Sequence, residues 1–177
     1  RPAFDPVIQA MAGILDHIGV EDGPPLWGLP GLADLFTSVV TGYAIMLALF
    51  MREKTGKGQF IDSSMYDCMV TLNAMAIMVY SFSGMIVRRG TAGKFQSPMG
   101  TFRVKDGSYV ALMVANEFIW ERFCRAIGRE DLIKDPRTAS GWMRVVNKEF
   151  LDPIVNEWIG SRTSEEVVQT LLKEGVP

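Results

Sequence analysis

One aspartate, Asp34, lies where a carboxylate could take part in chemistry. It follows the glycine- and proline-rich segment Gly28–Ala33 and precedes a stretch, Leu35–Met51, that contains no charged residue. A carboxylate at the start of an apolar helix can be oriented by backbone N–H groups and by the helix dipole, and carboxylates do form covalent intermediates in enzymes. The alternative interpretation is structural, because Asp is among the preferred N-cap residues of helices. The sequence therefore indicates Asp34 either as a nucleophile or as a helix cap.

Three further features are weaker candidates for a site. Lys54–Gln59 resembles a fragment of a phosphate-binding loop, but it lacks the Gly-x-x-x-x-Gly-Lys-Ser/Thr spacing and follows a helix, so we interpret it as a turn. His17 ends a short predicted helix, where a cationic cap or surface residue is common. In the basic loop that follows the second long helix, Gly90 and Gly93 either allow close approach to a ligand or are ordinary loop glycines.

The composition excludes several classes of protein. The 177 residues include one histidine and two cysteines, which within one chain excludes a zinc site of four cysteines or of paired cysteines and histidines, and a four-cysteine iron–sulfur cluster. We therefore predict no metal site. Eighteen basic and 20 acidic residues give a net charge of −2, so we expect no nucleic-acid partner. Two isolated cysteines, Cys68 and Cys124, favour a reducing, cytoplasmic setting.

The hydrophobic periodicity predicts mainly helices, with one β-hairpin. The strands Thr101–Lys105 and Tyr109–Val114 alternate around Asp106-Gly107, which is typical of a two-residue turn. Asp5 is a plausible N-cap for the first helix, and Thr163 with Glu166 has the spacing of a capping box. We predict helices over 5–15, 33–53, 63–83, 117–127, 144–159 and 163–175, and a short strand over 60–62.

The two longest helices are apolar enough to suggest membrane spans. Leu35–Met51 and Cys68–Val87 contain no charged residue and reach the length that crosses a bilayer. Polar side chains such as Thr37 and Asn73 lie inside these stretches, and neither contains a tryptophan for an interfacial belt. We therefore favour core helices and expect no membrane partner, with a two-span membrane segment as an alternative.

Several segments in series resemble one family, the family III CoA-transferases of the CaiB/BaiF type, which include formyl-CoA transferase and carnitine CoA-transferase. Each match is weak alone, but their order and spacing run through essentially the whole chain. The matching stretches are Phe4–Gly13, Asp22–Pro25, Ala33-Asp34, Thr55–Asp62, Ser97–Phe102, Asp106-Gly107, Asp135–Arg137 and Gly175–Pro177.

The resemblance implies an α/β fold with two domains. Members have a Rossmann-like large domain and a small α/β domain, and two subunits form an interlocked homodimer. On this pattern, residues 1–62 are part of the large domain and carry the nucleophile, 63–95 form a linker helix and loop, and 96–177 are the small domain. The chain resembles an internal segment of such a protein, without much of the CoA-binding half, so we expect it to be inactive by itself.

The resemblance also implies the chemistry. The family's nucleophile corresponds to Asp34, which would attack an acyl-CoA thioester to form a mixed anhydride and release CoA thiolate. The acceptor carboxylate and the thiolate would then exchange through an aspartyl-CoA thioester. Coenzyme A enters as a thioester substrate and not as a bound cofactor, and the expected partners are an acyl-CoA and a small carboxylic acid. Gly90, Gly93 and Gln96 lie where the family has a loop that binds substrate or closes over the site.

Acyl-CoA racemases of the same family are the main alternative. They pair an aspartate at the same place with a histidine base, and Phe4 stands at the corresponding position of this chain. His17 lies thirteen residues later. Because a two-base racemase needs a second proton carrier facing the aspartate, the sequence favours a transferase. A racemase or epimerase with a different base, and a non-catalytic fragment, stay open as alternatives.

Overall fold

The computed structural model describes residues 2–90 and 95–177, and it divides into two compact units, Arg1–Gly90 and Thr91–Pro177. Each unit buries an apolar cluster of its own. The boundary between the units falls inside the predicted linker 63–95. The assignment of residues 1–62 and 96–177 to two domains of a longer protein stays a prediction.

In the described residues of the first unit, all regular secondary structure is helical. Its core is formed where α1 (Asp5–Met11) meets the start of α2 (Leu32–Thr55) and the middle of α3 (Met65–Leu72), and Ala33 and Met69 are completely buried there. The predicted helix 5–15 ends early, because Gly13 adopts a left-handed conformation (φ 79°) and the chain continues as a 3-10 turn. The elements are α1 (Asp5–Met11), the 3-10 turn (Ile14–His17), α2 (Leu32–Thr55), α3 (Met65–Leu72) and α4 (Ala74–Ser83).

The second apolar helix is not continuous, in contrast to the sequence prediction. It breaks at Asn73 into α3 and α4, whose axes differ by 59°. The Asn73 side chain supplies the reason, since its Nδ2 donates to the carbonyl of Ala12 and its Oδ1 contacts His17. These contacts hold Asn73 outside the regular helix (φ −88°, ψ 12°).

The short strand predicted over 60–62 is wrong. These residues form neither helix nor strand, and the sheet that the described residues contain lies entirely in the second unit. A strand requires a hydrogen-bonded neighbour, and the described part of the first unit offers none. The apolar pair Phe60 and Ile61 alone therefore does not produce a strand here.

The apolar surface of α2 is largely uncovered within the described residues. Only 6% of its most apolar window is buried, and by length and composition α2 could cross a membrane; α3 and α4 together pass the same test as one bent pair. The most exposed apolar side chains recur at spacings of three and four residues and so share one face. They are Leu35, Val39, Tyr43, Met46 and Phe50.

In the described part of the second unit, helices pack around one antiparallel hairpin. The strands β1 (Met99–Arg103) and β2 (Tyr109–Met113) pair with Met99 opposite Met113, and Val110 and Leu112 of β2 face the core. That core also buries Trp120, Phe123 and Val155. The helices are α5 (Glu117–Ala126), α6 (Gly141–Val146), α7 (Lys148–Gly160) and α8 (Ser164–Lys173), with a 3-10 turn at Glu130–Ile133.

Two local predictions for this unit need correction. The hairpin loop is longer than a two-residue turn: Gly107 N–H donates to the carbonyl of Val104, and Gly107 itself has φ 84°. The predicted helix 144–159 begins at Gly141 and breaks at Asn147, whose Nδ2 donates to the carbonyls of Met143 and Arg137. The capping box of Thr163 and Glu166 is confirmed.

Candidate active site

Asp34 lies in the first turn of α2 and is exposed to solvent. It is the third residue of the helix, so it is not the N-cap, and the interpretation of Asp34 as a helix cap is wrong. Among residues 2–90 and 95–177, no donor lies within hydrogen-bonding distance of its carboxylate. The Asp34 side chain is therefore available for an external partner.

The N-cap of α2 is Gly31, which has φ 77° and no side chain to offer. The first N–H groups of a helix have no partner within the helix, and a side-chain oxygen at the N-cap normally accepts from them. In this chain that oxygen comes from Asp5, which lies in α1. Its Oδ1 accepts a hydrogen bond of 2.7 Å from the N–H of Ala33, and its Oδ2 accepts one of 3.1 Å from the N–H of Gly31.

Asp5 is buried, with 6% of its surface exposed, and two side chains complete its coordination. The Nε2 of Gln9 donates to both carboxylate oxygens at 2.9 and 2.8 Å, and the Nε1 of Trp27 donates to Oδ2 at 3.0 Å. Burial raises the pKa of Asp5, but the hydrogen bonds from Gln9, Ala33, Gly31 and Trp27 outweigh burial and hold the pKa below its ordinary value. Asp5 is therefore an anion held at the start of α2.

Sequence reasoning missed this role of Asp5. We expected Asp5 to cap α1, but the N-cap of α1 is Phe4 and Asp5 is the first helical residue. The available signal was negative: no Ser, Thr, Asn or Asp immediately precedes Leu32, so α2 had to receive its cap from elsewhere in the fold.

His17 takes part in a structural contact. Its Nε2 lies 2.7 Å from Oδ1 of Asn73, and its ring is half-buried. The neighbouring Asp16 is paired with Arg89, whose Nε also donates to the carbonyl of Gly23. The 3-10 turn is thus connected both to the break between α3 and α4 and to the end of the first unit.

The structure describes two of the three loop residues named from the sequence, Gly90 and Gln96. Gly90 has φ 77°, and a Cβ at this position would lie 2.7 Å from Cβ of Glu21, so the close approach made by its backbone is to Glu21. Gln96 is half-buried in the second unit. Gly93 lies outside the described residues. A role of these three residues in binding or gating stays a prediction.

A cavity of about 250 Å³ lies between α2, the segment before α3, and α3 itself. Its lining includes the hydroxyl pair of Thr41 and Ser63, together with Asp67 and Cys68. Asp34 is not among its lining residues. The hydroxyls of Thr41 and Ser63 in the cavity wall lie 2.6 Å apart, and Ser64 Oγ accepts from the N–H of Asp67, so these hydroxyls already have partners.

The possible metal ligands and the two cysteines are weaker candidates for a reactive site than Asp34. Among the described residues no group of three or more His, Cys, Asp and Glu could hold a metal ion. Both cysteines are buried and free. Burial raises the pKa of the Cys124 thiol to about 12, although the positive charge of Arg144 acts in the opposite direction, so this thiol is not a nucleophile at neutral pH.

Comparison with known proteins identifies the family to which the chain is similar. The model of CoA-transferase family III matches residues 1–177. The chain is 36% identical to the succinyl-CoA:mesaconate CoA-transferase of Haloarcula hispanica and 32% identical to the acetyl-CoA:oxalate CoA-transferase of Acetobacter aceti. These alignments cover 100% and 99% of this chain, and 44% and 46% of those proteins. The chain thus spans less than half the length of these curated relatives.

Solved structures also show similarity to proteins of this family. A CaiB/BaiF family protein from Brucella suis superposes with a TM-score of 0.77 at 35% identity, over 100% of this chain and 47% of that one. The protein Rv3272 from Mycobacterium tuberculosis superposes with a TM-score of 0.85 at 28% identity, over 100% of this chain and 47% of that one. The mixed fold with its small two-stranded sheet is therefore that of this family.

These relatives favour neither a racemase nor a two-span membrane segment, since the curated relatives above are named as CoA-transferases. The family match covers both apolar helical regions as well as the hairpin unit. The chain therefore belongs to CoA-transferase family III.

Proposed function

We propose that the full-length protein transfers coenzyme A from an acyl-CoA to a carboxylic acid, with Asp34 as the nucleophile. The observation that carries the proposal is the placement of Asp34. Its carboxylate is exposed and unpaired among the described residues, while the backbone directly before it is fixed by Asp5. A nucleophile needs this combination of a free reactive group and an ordered support.

The reaction proceeds through two kinds of covalent intermediate on Asp34, a mixed anhydride and an aspartyl-CoA thioester. A carboxylate oxygen of Asp34 attacks the thioester carbonyl carbon, the C–S bond breaks, and CoA thiolate leaves with the electron pair. The thiolate attacks the Asp34 carbonyl carbon of the mixed anhydride, which releases the first carboxylate and leaves an aspartyl-CoA thioester.

The second half of the reaction repeats these steps in reverse. The acceptor carboxylate attacks the aspartyl-CoA carbonyl and expels thiolate, and the thiolate then attacks the acceptor acyl carbon of the new anhydride. A new acyl-CoA forms and Asp34 is regenerated as a carboxylate. No net proton or electron is consumed.

We propose short dicarboxylic acids as acceptors. The curated relatives are named for mesaconate, oxalate and L-malate, and all three are dicarboxylic acids. Identity of 29–36% over almost the whole chain supports a shared substrate class more than a shared single substrate. The described residues do not enclose Asp34, so we place the residues that bind the second carboxylate in the rest of the full-length protein.

An exposed aspartate is hydrated, and an anhydride on it would be hydrolysed, so the working site needs walls around Asp34. We propose that these walls come from the remaining length of the full-length protein, as a Rossmann-like large domain within an interlocked homodimer in the cytoplasm. The uncovered apolar face of α2 is consistent with such a cover. The chain by itself is then inactive.

The proposal is tested by exchange assays on the full-length protein. Succinyl-CoA and acetyl-CoA serve as donors, and mesaconate, oxalate and L-malate as acceptors, with product acyl-CoA separated by chromatography. We expect Asp34→Asn to lose the exchange activity, since an amide cannot form the anhydride. The matched control is Glu53→Gln at the other end of α2, where the carboxylate is exposed and, within the described part of the chain, pairs with Arg52 alone at 4.0 Å.

Glu53→Gln should retain the wild-type rate. Exchange activity in Asp34→Asn equal to that of Glu53→Gln would refute the assignment of Asp34. A wild-type protein that transfers CoA to monocarboxylic acids as fast as to these three acids would refute the acceptor class.

A further inference from the structure

We infer that Asp5 is a positioning residue for the reaction, because it fixes the first turn of α2 from which Asp34 projects. This inference rests on the proposed function of Asp34. It assigns to a buried carboxylate in α1 a role in the rate of the chemical step, in addition to its role in stability.

The contacts of Asp5 converge on the residues immediately before Asp34. Oδ1 accepts from the N–H of Ala33 at 2.7 Å, and Oδ2 accepts from the N–H of Gly31 at 3.1 Å. Ala33 is completely buried against the core of the first unit. Its backbone is therefore held by packing on one side and by a charge-assisted hydrogen bond on the other.

Asp34 is attached directly to this fixed peptide. A glycine N-cap in the left-handed region leaves the start of α2 without local side-chain support. When the carboxylate of Asp5 is removed, the N–H groups of Gly31 and Ala33 lose their acceptor and the first turn can fray. Reacting groups need near-attack geometry, and a displacement of about 1 Å can cost about 100-fold in rate.

Asp5 is itself ordered by two donors that come from different segments. Gln9 lies one turn further along α1 and also donates to the carbonyl of Leu29 at 3.0 Å, and Trp27 reaches Asp5 from the loop before α2. The carboxylate thus joins α1, the loop and α2 at one point. Asp5→Asn removes the negative charge. Because the Asn amide group is a donor, it cannot accept the hydrogen bonds that Gln9, Trp27 and the backbone N–H groups make to one of the carboxylate oxygens.

The second unit contains a natural control. Asp106, in the hairpin loop, accepts a hydrogen bond of 2.9 Å from the N–H of Ser164, the first residue of α8. It is therefore another aspartate that supports a helix start from a distant part of the chain. Asp106→Asn makes the same chemical change at a helix that carries no proposed reacting group.

The experiment compares Asp5→Asn, Asp106→Asn and Asp34→Asn in the full-length protein. For each variant, kcat, KM for the acyl-CoA and the folded fraction are measured, and the rate of adduct formation on Asp34 is followed by rapid-quench mass spectrometry. We expect Asp5→Asn to lower kcat and the rate of adduct formation by about 10- to 100-fold per folded molecule, with little change in KM. Asp106→Asn should leave both rates unchanged.

A folded Asp5→Asn protein with the wild-type kcat would overturn the inference and leave the proposed function intact. An active Asp34→Asn protein would instead refute the proposed function. If Asp5→Asn does not fold, the kcat of Trp27→Phe tests the inference. This variant removes the Nε1 donor to Oδ2 of Asp5 at a side chain that is half-exposed. A decrease in kcat of about threefold or more at constant KM supports the inference, and an unchanged kcat overturns it.

Discussion

The Nε2 of His17 lies 2.7 Å from Oδ1 of Asn73, and this contact gives the single histidine of the chain a structural partner. The Nδ2 of Asn73 donates to the carbonyl of Ala12 at 2.9 Å, which points the amide oxygen toward the ring. Because that oxygen only accepts, Nε2 of His17 carries the proton and donates. His17 therefore connects the 3-10 turn to the break between α3 and α4.

We predict that His17 is not an acid–base group in the reaction. Removing a general acid or base costs about 100- to 10,000-fold in rate. His17→Ala should lose far less than this in kcat of the full-length protein, while its free energy of unfolding falls by about 1 kcal/mol for the lost hydrogen bond. A folded His17→Ala protein that loses all activity would contradict this prediction and would indicate a proton-transfer role for His17, as in a racemase. Exchange of the acyl α-proton with deuterium from solvent would then test for racemase activity.

Arg144 should be essential for the stability of the second unit. It is completely buried, pairs with Glu117 at 2.7 Å, lies over the ring of Trp120, and donates to the carbonyls of Ser97 and Thr138 at 3.1 Å each. Arg144→Met leaves these buried carbonyls without a donor, so we expect the free energy of unfolding to fall by roughly 2–4 kcal/mol.

Glu117→Gln is the matched variant for this network. The hydrogen bonds from Arg144 lower the pKa of Glu117, but its side chain is 56% exposed, so its loss should cost less than the loss of Arg144. Urea denaturation of the full-length protein measures both variants. Equal stability of Arg144→Met and wild type would show that apolar packing replaces the network.

Acid should destabilise the second unit through two aspartates. Hydrogen bonds from Ser108 and Ser164 lower the pKa of Asp106, and hydrogen bonds from Arg137 lower the pKa of Asp135, in each case from 3.8 to about 2. A carboxyl whose pKa is lower in the folded state stabilises the fold above its unfolded pKa, and this contribution is lost as pH falls through the folded pKa.

The expected window therefore runs from about pH 4 down to about pH 2. Urea midpoints of the full-length protein, measured across this range, should decrease less steeply with falling pH for Asp106→Asn than for wild type. The same slope in both proteins would mean that Asp106 does not keep its contacts to Ser164 and Ser108 in solution.

Cys124 should resist thiol reagents in the folded protein. Burial raises the pKa of its thiol to about 12, and the thiolate is the reactive form. We expect maleimide to modify Cys124 only after denaturation, as followed by mass spectrometry of the peptide that contains it. Rapid modification of native protein at pH 8 would show that the packing of α5 opens, and Cys124→Ser serves as the control for labelling at other sites.

Local patterns allowed much of the fold to be predicted, because their determinants lie within a few residues. The capping box of Thr163 and Glu166 and the hairpin around Asp106-Gly107 depend on neighbours in the chain, and both are present. The long helix after Gly31 was likewise predicted from its periodicity, within two residues at each end.

Features that depend on distant partners could not be predicted in this way. The break at Asn73 depends on Ala12 and His17, and the support of α2 depends on Asp5, which is 28 residues from Ala33. The burial of Arg144 depends on Glu117, 27 residues away. The identity of Asp34 as a candidate came from its place before an apolar helix, but its freedom from hydrogen bonds required the structure.

Adduct mapping shows directly whether Asp34 carries the covalent intermediate. The full-length protein is incubated with succinyl-CoA, quenched in acid, digested and analysed by tandem mass spectrometry. We predict a mass increase from an acyl group or from CoA that fragmentation localises to Asp34, and its absence from Asp34→Asn. An adduct on another residue, or turnover by the wild type with no adduct on Asp34 under rapid quench, would show that Asp34 is not the nucleophile.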